Sequence, residues 1–273
     1  MSRPDGSSSL KSAAARPLAV VTGGSRGIGA AIAERLALEN HDVLLVARGQ
    51  AGLDEHAHSL RSVYGVNVIT VAADLGSGEG VATVLGQIDE MKLAPDVLVN
   101  NAGLGASGRF AVSPRASVAG QLDVNVRALT LLTHGLLPGM LARGRGRILN
   151  MAGITAFQPV PGMAVHAASK AYVLSFTEAL SEELRNSGVT ATALCPGFTR
   201  TGMLADLGAG ELPRYMLQAP SEVARDAWEA MQRGEAVRIT GLGPQLTAAW
   251  SKWQPRALVR YVSGVVSRFA FDY

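Results

Sequence analysis

The stretch that decides the fold is Leu18-Ala19-Val20-Val21-Thr22-Gly23-Gly24-Ser25-Arg26-Gly27-Ile28-Gly29. It begins with a short apolar run, passes through a glycine-rich turn and leads into good helix formers over residues 30–39. A strand, a glycine turn and a helix in this order cradle a nucleotide phosphate. The glycines let the backbone approach the anion, and the helix N-terminus points free N–H groups at it. The stretch therefore predicts a nucleotide-binding α/β unit.

The next strand, predicted at residues 42–47, ends at Arg48. In a dinucleotide fold an acidic residue at this place holds the ribose hydroxyls, whereas an arginine suits a 2′-phosphate. No acid stands here, and Arg26 in the glycine turn is placed to pair with the same phosphate. The alternative that Arg48 is only a solvated strand end stays open. The two cations nevertheless favour NADP(H) over NAD(H).

Strand-like and helix-like segments alternate along the rest of the chain, which predicts a doubly wound parallel sheet in a single Rossmann-like α/β domain over residues 17–273. The predicted strands are 18–21, 42–47, 67–72, 97–100, 147–150, 190–194 and 237–240, and the predicted helices are 30–39, 51–64, 78–91, 121–137, 164–188 and 221–233, the last capped by Ser221. We expect a disordered tail over residues 1–16, a lid at about 200–220 and an amphipathic C-terminal extension at about 242–273.

Composition narrows the class of protein. Of 273 residues, 48% are hydrophobic and 17% charged, which is typical of a globular chain. The net charge of +3 is mild and no basic run occurs, so nucleic-acid binding is not indicated. One cysteine, Cys195, excludes an internal disulfide and fits a reducing compartment, and its place at a strand end predicts a buried structural thiol. We therefore expect a cytoplasmic protein without a membrane segment or a metal site.

A titratable pair lies on the helix predicted from residue 164. His166 and Lys170 are four residues apart, so they share one helix face. Alone, such a pair is more often an exposed surface pair than a site. By the same spacing Tyr172 points away from both and is predicted to be core. Tyr215, in the predicted lid, is either a substrate contact or a surface aromatic.

Together these motifs resemble the short-chain dehydrogenase/reductase family over about residues 17–240. The matching residues are the glycine loop Thr22–Gly29, Asp74 with Leu75, Asn100-Asn101-Ala102-Gly103, Asn125, Lys170, and Pro196-Gly197 with Thr199 and Thr201. The resemblance implies that Gly23, Ser25, Arg26, Gly27, Ile28, Gly29, Arg48, Asp74, Leu75, Asn101, Ala102, Gly103, Lys170, Pro196, Gly197, Thr199 and Thr201 bind the cofactor. It also implies that Asn125 orders a water that relays a proton.

Two catalytic positions depart from the family pattern. The family's catalytic tyrosine falls on His166, and its serine, thirteen residues earlier, falls on Gly153. In the family, tyrosine exchanges the proton with the carbonyl oxygen, serine hydrogen-bonds that oxygen, and lysine holds the nicotinamide ribose. The chain thus keeps the cofactor half of the site, with Lys170, and loses the carbonyl half. Gly153 and Tyr215 are the residues we place at the substrate pocket.

Four interpretations of this altered site stay open. His166 could be the acid, directly or through a water, although Lys170 beside it disfavours the charged ring. A hydroxyl next to the ketone could supply the proton instead, which suits hydroxylated aromatic polyketides. This chain resembles the family's ketoreductases that act on such polyketides, including the atypical one of simocyclinone assembly, in the catalytic residues that are missing. The third interpretation is a non-redox dehydration or cyclisation, and the fourth a cofactor-binding pseudoenzyme. The substrate expected is a small-molecule ketone.

The C-terminal stretch is amphipathic, with apolar residues flanked by basic ones. Its apolar members are Leu246, Trp250, Trp253, Leu258, Val262, Val265 and Phe269, and Lys252, Arg256 and Arg260 flank them. Packing on the sheet or against a second subunit is the favoured interpretation, and attachment to a membrane surface is the alternative. We expect a homo-oligomer.

Overall fold

The structure is a computed structural model that describes residues 16–202, 204 and 217–270. The predicted N-terminal tail up to residue 15 lies outside the described residues. Most of the predicted lid, with Tyr215, lies outside them as well.

Seven parallel strands form one sheet in the order β3-β2-β1-β4-β5-β6-β7. The strands are β1 (Leu18–Thr22), β2 (Asp42–Ala47), β3 (Val68–Ala72), β4 (Pro95–Asn100), β5 (Gly146–Met151), β6 (Val189–Cys195) and β7 (Val237–Ile239). Most are short apolar runs, as expected for strands that are covered on both faces. The strand order reverses between β1 and β4, which opens a crevice at the carboxyl ends of these strands. The predicted doubly wound sheet is confirmed.

Helices cover both faces of the sheet. They are α1 (Gly27–Leu38), α2 (Gln50–Tyr64), α3 (Gly78–Glu90), α4 (Arg115–Leu122), α5 (Leu129–Arg143), α6 (Ala164–Glu183), α7 (Pro220–Arg233), α8 (Leu242–Trp253) and α9 (Arg256–Ala270). Residues of α1, α2 and α7 form the core on one face, and residues of α3, α5 and α6 form the core on the other. Two layers of helices therefore hold the strand ends in place.

The helix predicted at 121–137 differs from the structure. Helical backbone begins at Arg115, directly after Pro114, and continues to Arg143. Between α4 and α5 it widens into a π-helical segment, Asp123–Ala128, with Asn125 at its centre. π-Helical segments are rare in proteins, and those that do occur are often found at functional sites. Apolar spacing does not reveal them because they insert one residue into an otherwise helical pattern.

Two predicted helix ends also need correction. Helix α6 ends at Glu183, before Gly188. Gly188 has φ +81°, and a Cβ there would lie 1.9 Å from the Gly144 oxygen, so this glycine serves a close chain crossing before β6. Helix α7 is capped from Ala219, whose amide donates to Glu222 Oε2 at 2.9 Å, because Pro220 already opens the helix. Ser221 is therefore not the cap.

Candidate active site

A cavity of about 1690 Å³ opens at the carboxyl ends of the strands. All but three of the residues assigned to cofactor binding, catalysis or the substrate pocket line it, namely Gly23, Ser25, Arg26, Gly27, Ile28, Arg48, Asp74, Leu75, Asn101, Ala102, Gly103, Gly153, His166, Lys170, Pro196, Gly197, Thr199 and Thr201. Gly29 and Asn125 are buried and do not line it. Tyr215 lies outside the described residues. The fold thus gathers residues from across the chain at one edge of the sheet.

The glycine turn is held against the loop after β4. The Asn101 side-chain amide donates to the main-chain oxygens of Thr22 at 3.0 Å and of Gly23 at 3.3 Å. The Thr22 hydroxyl accepts from the amides of Asn101 and Ala102, both at 3.0 Å. At Gly29 a Cβ would lie 2.2 Å from the Gly23 oxygen, so this glycine permits close packing inside the turn. Asn101 therefore fixes the conformation of the glycine turn through hydrogen bonds, and Gly29 allows the turn to pack closely against itself.

Cationic and polar groups border the cavity beside β2 and β3. Arg26 and Arg48 are both exposed and both line it. Arg48 makes no hydrogen bond or ion pair with any residue that the structure describes. Asp74 is exposed, and its Oδ1 accepts from the Gly76 amide at 3.0 Å. This part of the cavity suits an anionic ligand that also carries hydroxyl groups.

Asn125 acts on the loop after β4 through its side chain. Its Oδ1 accepts from the Leu104 amide and its Nδ2 donates to the Leu104 oxygen, each at 2.8 Å. Nδ2 also donates to Ser169 Oγ on α6 at 3.0 Å. The widened helix at Asn125 therefore fixes Leu104 between α5 and α6. Sequence reasoning missed Leu104, which follows the Asn-Asn-Ala-Gly motif and is named by no motif itself.

His166 is buried at the cavity wall, and its ring is oriented by Leu104. The Nδ1 atom lies 3.1 Å from the Leu104 oxygen. A carbonyl oxygen only accepts, so Nδ1 carries the hydrogen and a neutral ring has a bare lone pair on Nε2. Burial lowers the pKa of His166 most, and the charge of Lys170 lowers it further, to about 4. The hydrogen bond with the Leu104 oxygen raises the pKa by a smaller amount. The ring is therefore neutral at physiological pH, and Nε2 is available to accept a hydrogen bond.

Lys170 lies one turn along the same face of α6 and is also buried. Its Nζ donates to the Met151 oxygen at 2.8 Å. Burial lowers the pKa of Lys170 to about 8, so the amine is largely charged at neutral pH. Burial likewise raises the pKa of Cys195 to about 12, which keeps this buried thiol protonated, as the sequence predicted for a structural cysteine. Lys170 is thus a desolvated cation at the floor of the cavity.

Gly153 occupies a backbone conformation that only glycine adopts readily. Its φ is +101° and its ψ is 162°. Its amide and that of Ala152 both donate to the Leu194 oxygen, at 3.1 and 2.9 Å, which fixes the conformation. A Cβ on Gly153 would have open space, since the nearest atom, Thr155 Oγ1, is 3.9 Å away. Glycine at position 153 is therefore explained by the positive φ of its backbone and not by a lack of space for a side chain. Sequence reasoning also missed Thr155, two residues further on.

The C-terminal helices border the apolar half of the cavity. Leu242, Pro244, Leu246, Trp250, Val262 and Val266 all line it. Of the two kinds of packing expected for this stretch, packing on the sheet does not account for these helices, because they border the cavity. Much of their apolar surface is also uncovered, since Leu246 is 72% and Trp253 82% exposed. Helices that border an opening bury only part of their apolar surface. No helix among the described residues is long and apolar enough to cross a bilayer.

The prediction that Tyr172 belongs to the core is wrong. Its side chain points away from the cavity and is 39% exposed. The hydroxyl lies 3.0 Å from Thr130 Oγ1, and the ring stacks on Phe176 with the ring centres 5.9 Å apart. Tyr172 therefore joins α6 to α5 at the surface. It does not take the place of the tyrosine missing at position 166.

Comparisons with known proteins agree with this geometry. Residues 17–212 match the family described as short chain dehydrogenase. The ketoacyl reductase HetN of a Nostoc species is 32% identical over 226 residues, which cover 82% of this chain and 78% of that protein. A short-chain dehydrogenase from Sphingobium yanoikuyae, solved with NADPH, has a TM-score of 0.78 and 33% identity, with 86% and 93% of the two chains covered. A variant of actinorhodin polyketide ketoreductase, also solved with NADPH, has a TM-score of 0.76 and 30% identity, with 84% and 97% covered. The chain therefore belongs to the short-chain dehydrogenase family.

Proposed function

We propose that this oxidoreductase uses NADPH to reduce a ketone of a hydroxylated aromatic, polyketide-like substrate, and that a hydroxyl of the substrate supplies the proton. The observation that carries the proposal is the state of His166. Its Nδ1–H is committed to the Leu104 oxygen, and its Nε2 accepts instead of donating. With glycine at position 153, the chain offers neither a tyrosine acid nor a serine hydroxyl at the two family positions.

The residues of the cavity fit NADP(H). The turn before α1 presents main-chain amides at the N-terminus of the helix, as a pyrophosphate requires. Arg48, exposed and without a described partner, suits the 2′-phosphate, and Arg26 lies on the same cavity. Lys170 is a buried cation suited to the nicotinamide ribose. The proposed cofactor-binding set is the one expected from the sequence, with Gly29 and Asn101 holding the turn in shape. When bound, NADPH supplies the hydride.

The altered residues suit a substrate that carries its own donor. Negative charge on the carbonyl oxygen during reduction needs a hydrogen-bond donor close by. A phenol or enol hydroxyl beside the ketone provides that donor and then the proton. His166 Nε2, a lone pair at the cavity wall, can accept a hydrogen bond from a substrate hydroxyl and orient the ring. The phenolate formed is reprotonated by water, to which the cavity is open.

The size and lining of the cavity support a polycyclic aromatic substrate. The volume of about 1690 Å³ exceeds the 300–1,000 Å³ typical of a small-molecule site, so a dinucleotide and a second molecule both fit. The part bordered by α8 and α9 is apolar, with Trp250 suited to stacking. The actinorhodin polyketide ketoreductase is similar to this chain over most of its length. These observations favour a flat, apolar, hydroxylated ketone.

The test is NADPH oxidation with a hydroxylated aromatic ketone and with its methyl ether, which lacks the donor hydroxyl next to the carbonyl. We expect reduction of the first and not of the second, with the alcohol identified by mass spectrometry. Equal reduction of both compounds would contradict the proposed proton source. Products that are dehydrated or cyclised without NADPH oxidation would indicate a non-redox enzyme. NADPH binding by calorimetry without turnover of any ketone would indicate a pseudoenzyme.

We also propose that the protein is a homo-oligomer. Exposed apolar side chains are concentrated on the C-terminal helices, where Trp253 and Tyr261 are 82% and 69% exposed and Leu242 is 79% exposed. A concentration of exposed apolar surface, unlike a single exposed side chain, favours an interaction surface. Light scattering on the purified chain tests this, with Trp253→Ser expected to lower the mean mass and Phe110→Ser as a control elsewhere on the surface.

A further inference from the structure

The hydroxyl group of Thr155 lies beside the position from which Gly153 lacks a side chain. Its Oγ1 is 3.9 Å from the point that a Cβ on Gly153 would occupy. The next atom from that point is the Pro196 main-chain oxygen at 4.0 Å, which only accepts hydrogen bonds. A serine at position 153 would extend its oxygen one bond from the same point. Thr155 therefore brings a donor to the region that a serine hydroxyl would serve.

The backbone around Thr155 is fixed. Thr155 lies on the 3-10 turn Ile154–Phe157. The turn is held by the Ile154 amide, which donates to the Pro196 oxygen at 3.0 Å, and by the Ala156 amide, which donates to the Gly153 oxygen at 3.1 Å. Thr155 itself is half-buried and lines the same cavity as His166. A donor on a rigid turn costs little reorganisation when charge develops near it.

The Thr155 hydroxyl is uncommitted. It makes no hydrogen bond with the residues that the structure describes. Two other hydroxyls on the cavity wall are used locally: Thr247 donates to the Gly243 oxygen at 3.0 Å and Ser267 to the Ser263 oxygen at 2.6 Å. Ser263 is buried on α9 and is not among the atoms found near the missing Gly153 side chain. Thr155 is therefore the better-placed donor.

We propose that Thr155 is a catalytic residue that donates a hydrogen bond to the substrate carbonyl oxygen and so replaces the serine absent at position 153. This inference rests on the proposed ketone reduction. The hydride adds to the carbonyl carbon, and the oxygen takes the proton of the adjacent substrate hydroxyl. Thr155 keeps its own proton and stabilises the developing negative charge. The carbonyl oxygen then has two donors, one from the substrate and one from the protein.

The experiment compares three variants with the hydroxylated ketone and NADPH. Thr155→Val keeps the shape and removes the hydroxyl, whereas Thr155→Ser keeps the hydroxyl and removes the methyl group. Ser263→Ala deletes a different hydroxyl from the same cavity. We expect Thr155→Val to lower kcat by roughly 10²–10³-fold, as removal of an oxyanion donor does. Thr155→Ser and Ser263→Ala should stay within about threefold of the unaltered protein. Melting temperature and NADPH affinity should not change.

The results separate the two levels of the proposal. Unchanged kcat in Thr155→Val would overturn the role of Thr155 while the ketone reduction stands. Equal losses in Thr155→Ser and Thr155→Val would overturn it too, because the methyl group and not the hydroxyl would then matter. Absence of ketone reduction by the unaltered protein would overturn the proposed function, and the role of Thr155 with it. A larger isotope effect with deuterated NADPH in Thr155→Val would support a slowed hydride transfer.

Discussion

His166 Nδ1 lies 3.1 Å from the main-chain oxygen of Leu104, and this contact decides which ring nitrogen bears the hydrogen. The same oxygen accepts from Asn125 Nδ2 at 2.8 Å, so Leu104 is held from two sides. Asn125 also bonds Ser169, one turn from His166 on α6. The π-helical segment therefore acts on the site by positioning a carbonyl group, which in turn orients the imidazole.

The neutral state of His166 predicts a loss of stability in acid. Its pKa is about 4 in the folded protein and 6.5 in the unfolded chain, so the unfolded state binds more protons between these values. The free energy of unfolding should thus rise with pH across this window. The contribution of His166 to that free energy is complete above pH 6.5 and is lost as the pH falls to 4. The contribution is about 3 kcal/mol.

Urea titrations from pH 4 to 7 measure this dependence, and His166→Phe should flatten it. A smaller slope should remain, because burial also lowers the pKa of His41. If the variant keeps the full slope of the unaltered protein, the assignment to His166 is wrong.

Lys170 predicts a pH dependence of cofactor binding. Its pKa of about 8 means that the amine loses its charge just above neutral pH. NADPH affinity measured by calorimetry should therefore weaken as the pH rises from 7 to 9. Lys170→Ala should bind NADPH more weakly at pH 7, remove this dependence and lower turnover strongly. Unchanged affinity and turnover in the variant would show that Lys170 does not contact the cofactor.

Arg48 predicts the choice of cofactor. The unaltered protein should bind NADPH more tightly than NADH, because Arg48 and Arg26 lie where an acid would favour a free ribose. Arg48→Asp should reverse the order by replacing a cation with a carboxylate that repels the 2′-phosphate. Arg115→Asp, which makes the same charge change on α4, should not. Equal affinities of the unaltered protein for both cofactors would contradict the prediction.

Gly153 predicts that the serine of the family cannot simply be restored. At φ +101° any L side chain is strained, so Gly153→Ser should lower the free energy of unfolding by about 1–2 kcal/mol. Gly153→Ala should cost the same amount, which separates strain from the hydroxyl. Gly86→Ala, in open space on α3 without positive φ, should instead be slightly stabilising. The double variant Gly153→Ser with His166→Tyr should not exceed the unaltered protein in turnover.

Most of the fold was predictable because its signals are local. Most of the parallel strands are short apolar runs, and the glycine turn that leads into α1 marks the cradle within a dozen residues. The pairing of His166 with Lys170 follows from helical spacing alone, and both side chains line the cavity. These features depend on neighbours along the chain, and such neighbours are visible in the sequence.

What stayed hidden depends on contacts between distant segments. The tautomer of His166 is decided by Leu104, 62 residues earlier. The conformation of Gly153 comes from two hydrogen bonds to Leu194 on β6. The turn that brings Thr155 next to the empty position is held by Pro196. Apolar periodicity reports none of these contacts, and for the same reason it did not place α8 and α9 over the cavity.

The sharpest prediction concerns the proton. If the substrate hydroxyl supplies it, His166→Phe should cost less than the roughly 10²–10⁴-fold expected when a general acid is removed. The ring keeps a similar shape, and the Leu104 oxygen keeps its bond from Asn125. Some loss is expected because Nε2 no longer accepts from the substrate, and it should appear mainly in KM. In the unaltered protein kcat should show no step near the usual histidine pKa, since the ring is already neutral there.

The comparison needs the hydroxylated ketone and its methyl ether with both proteins. If His166 is the acid, the pattern inverts: the variant loses turnover by the full factor, and the unaltered protein still reduces the methyl ether. A water that relays a proton from His166 would give the same inverted pattern, so the two substrates and one variant together decide where the proton comes from.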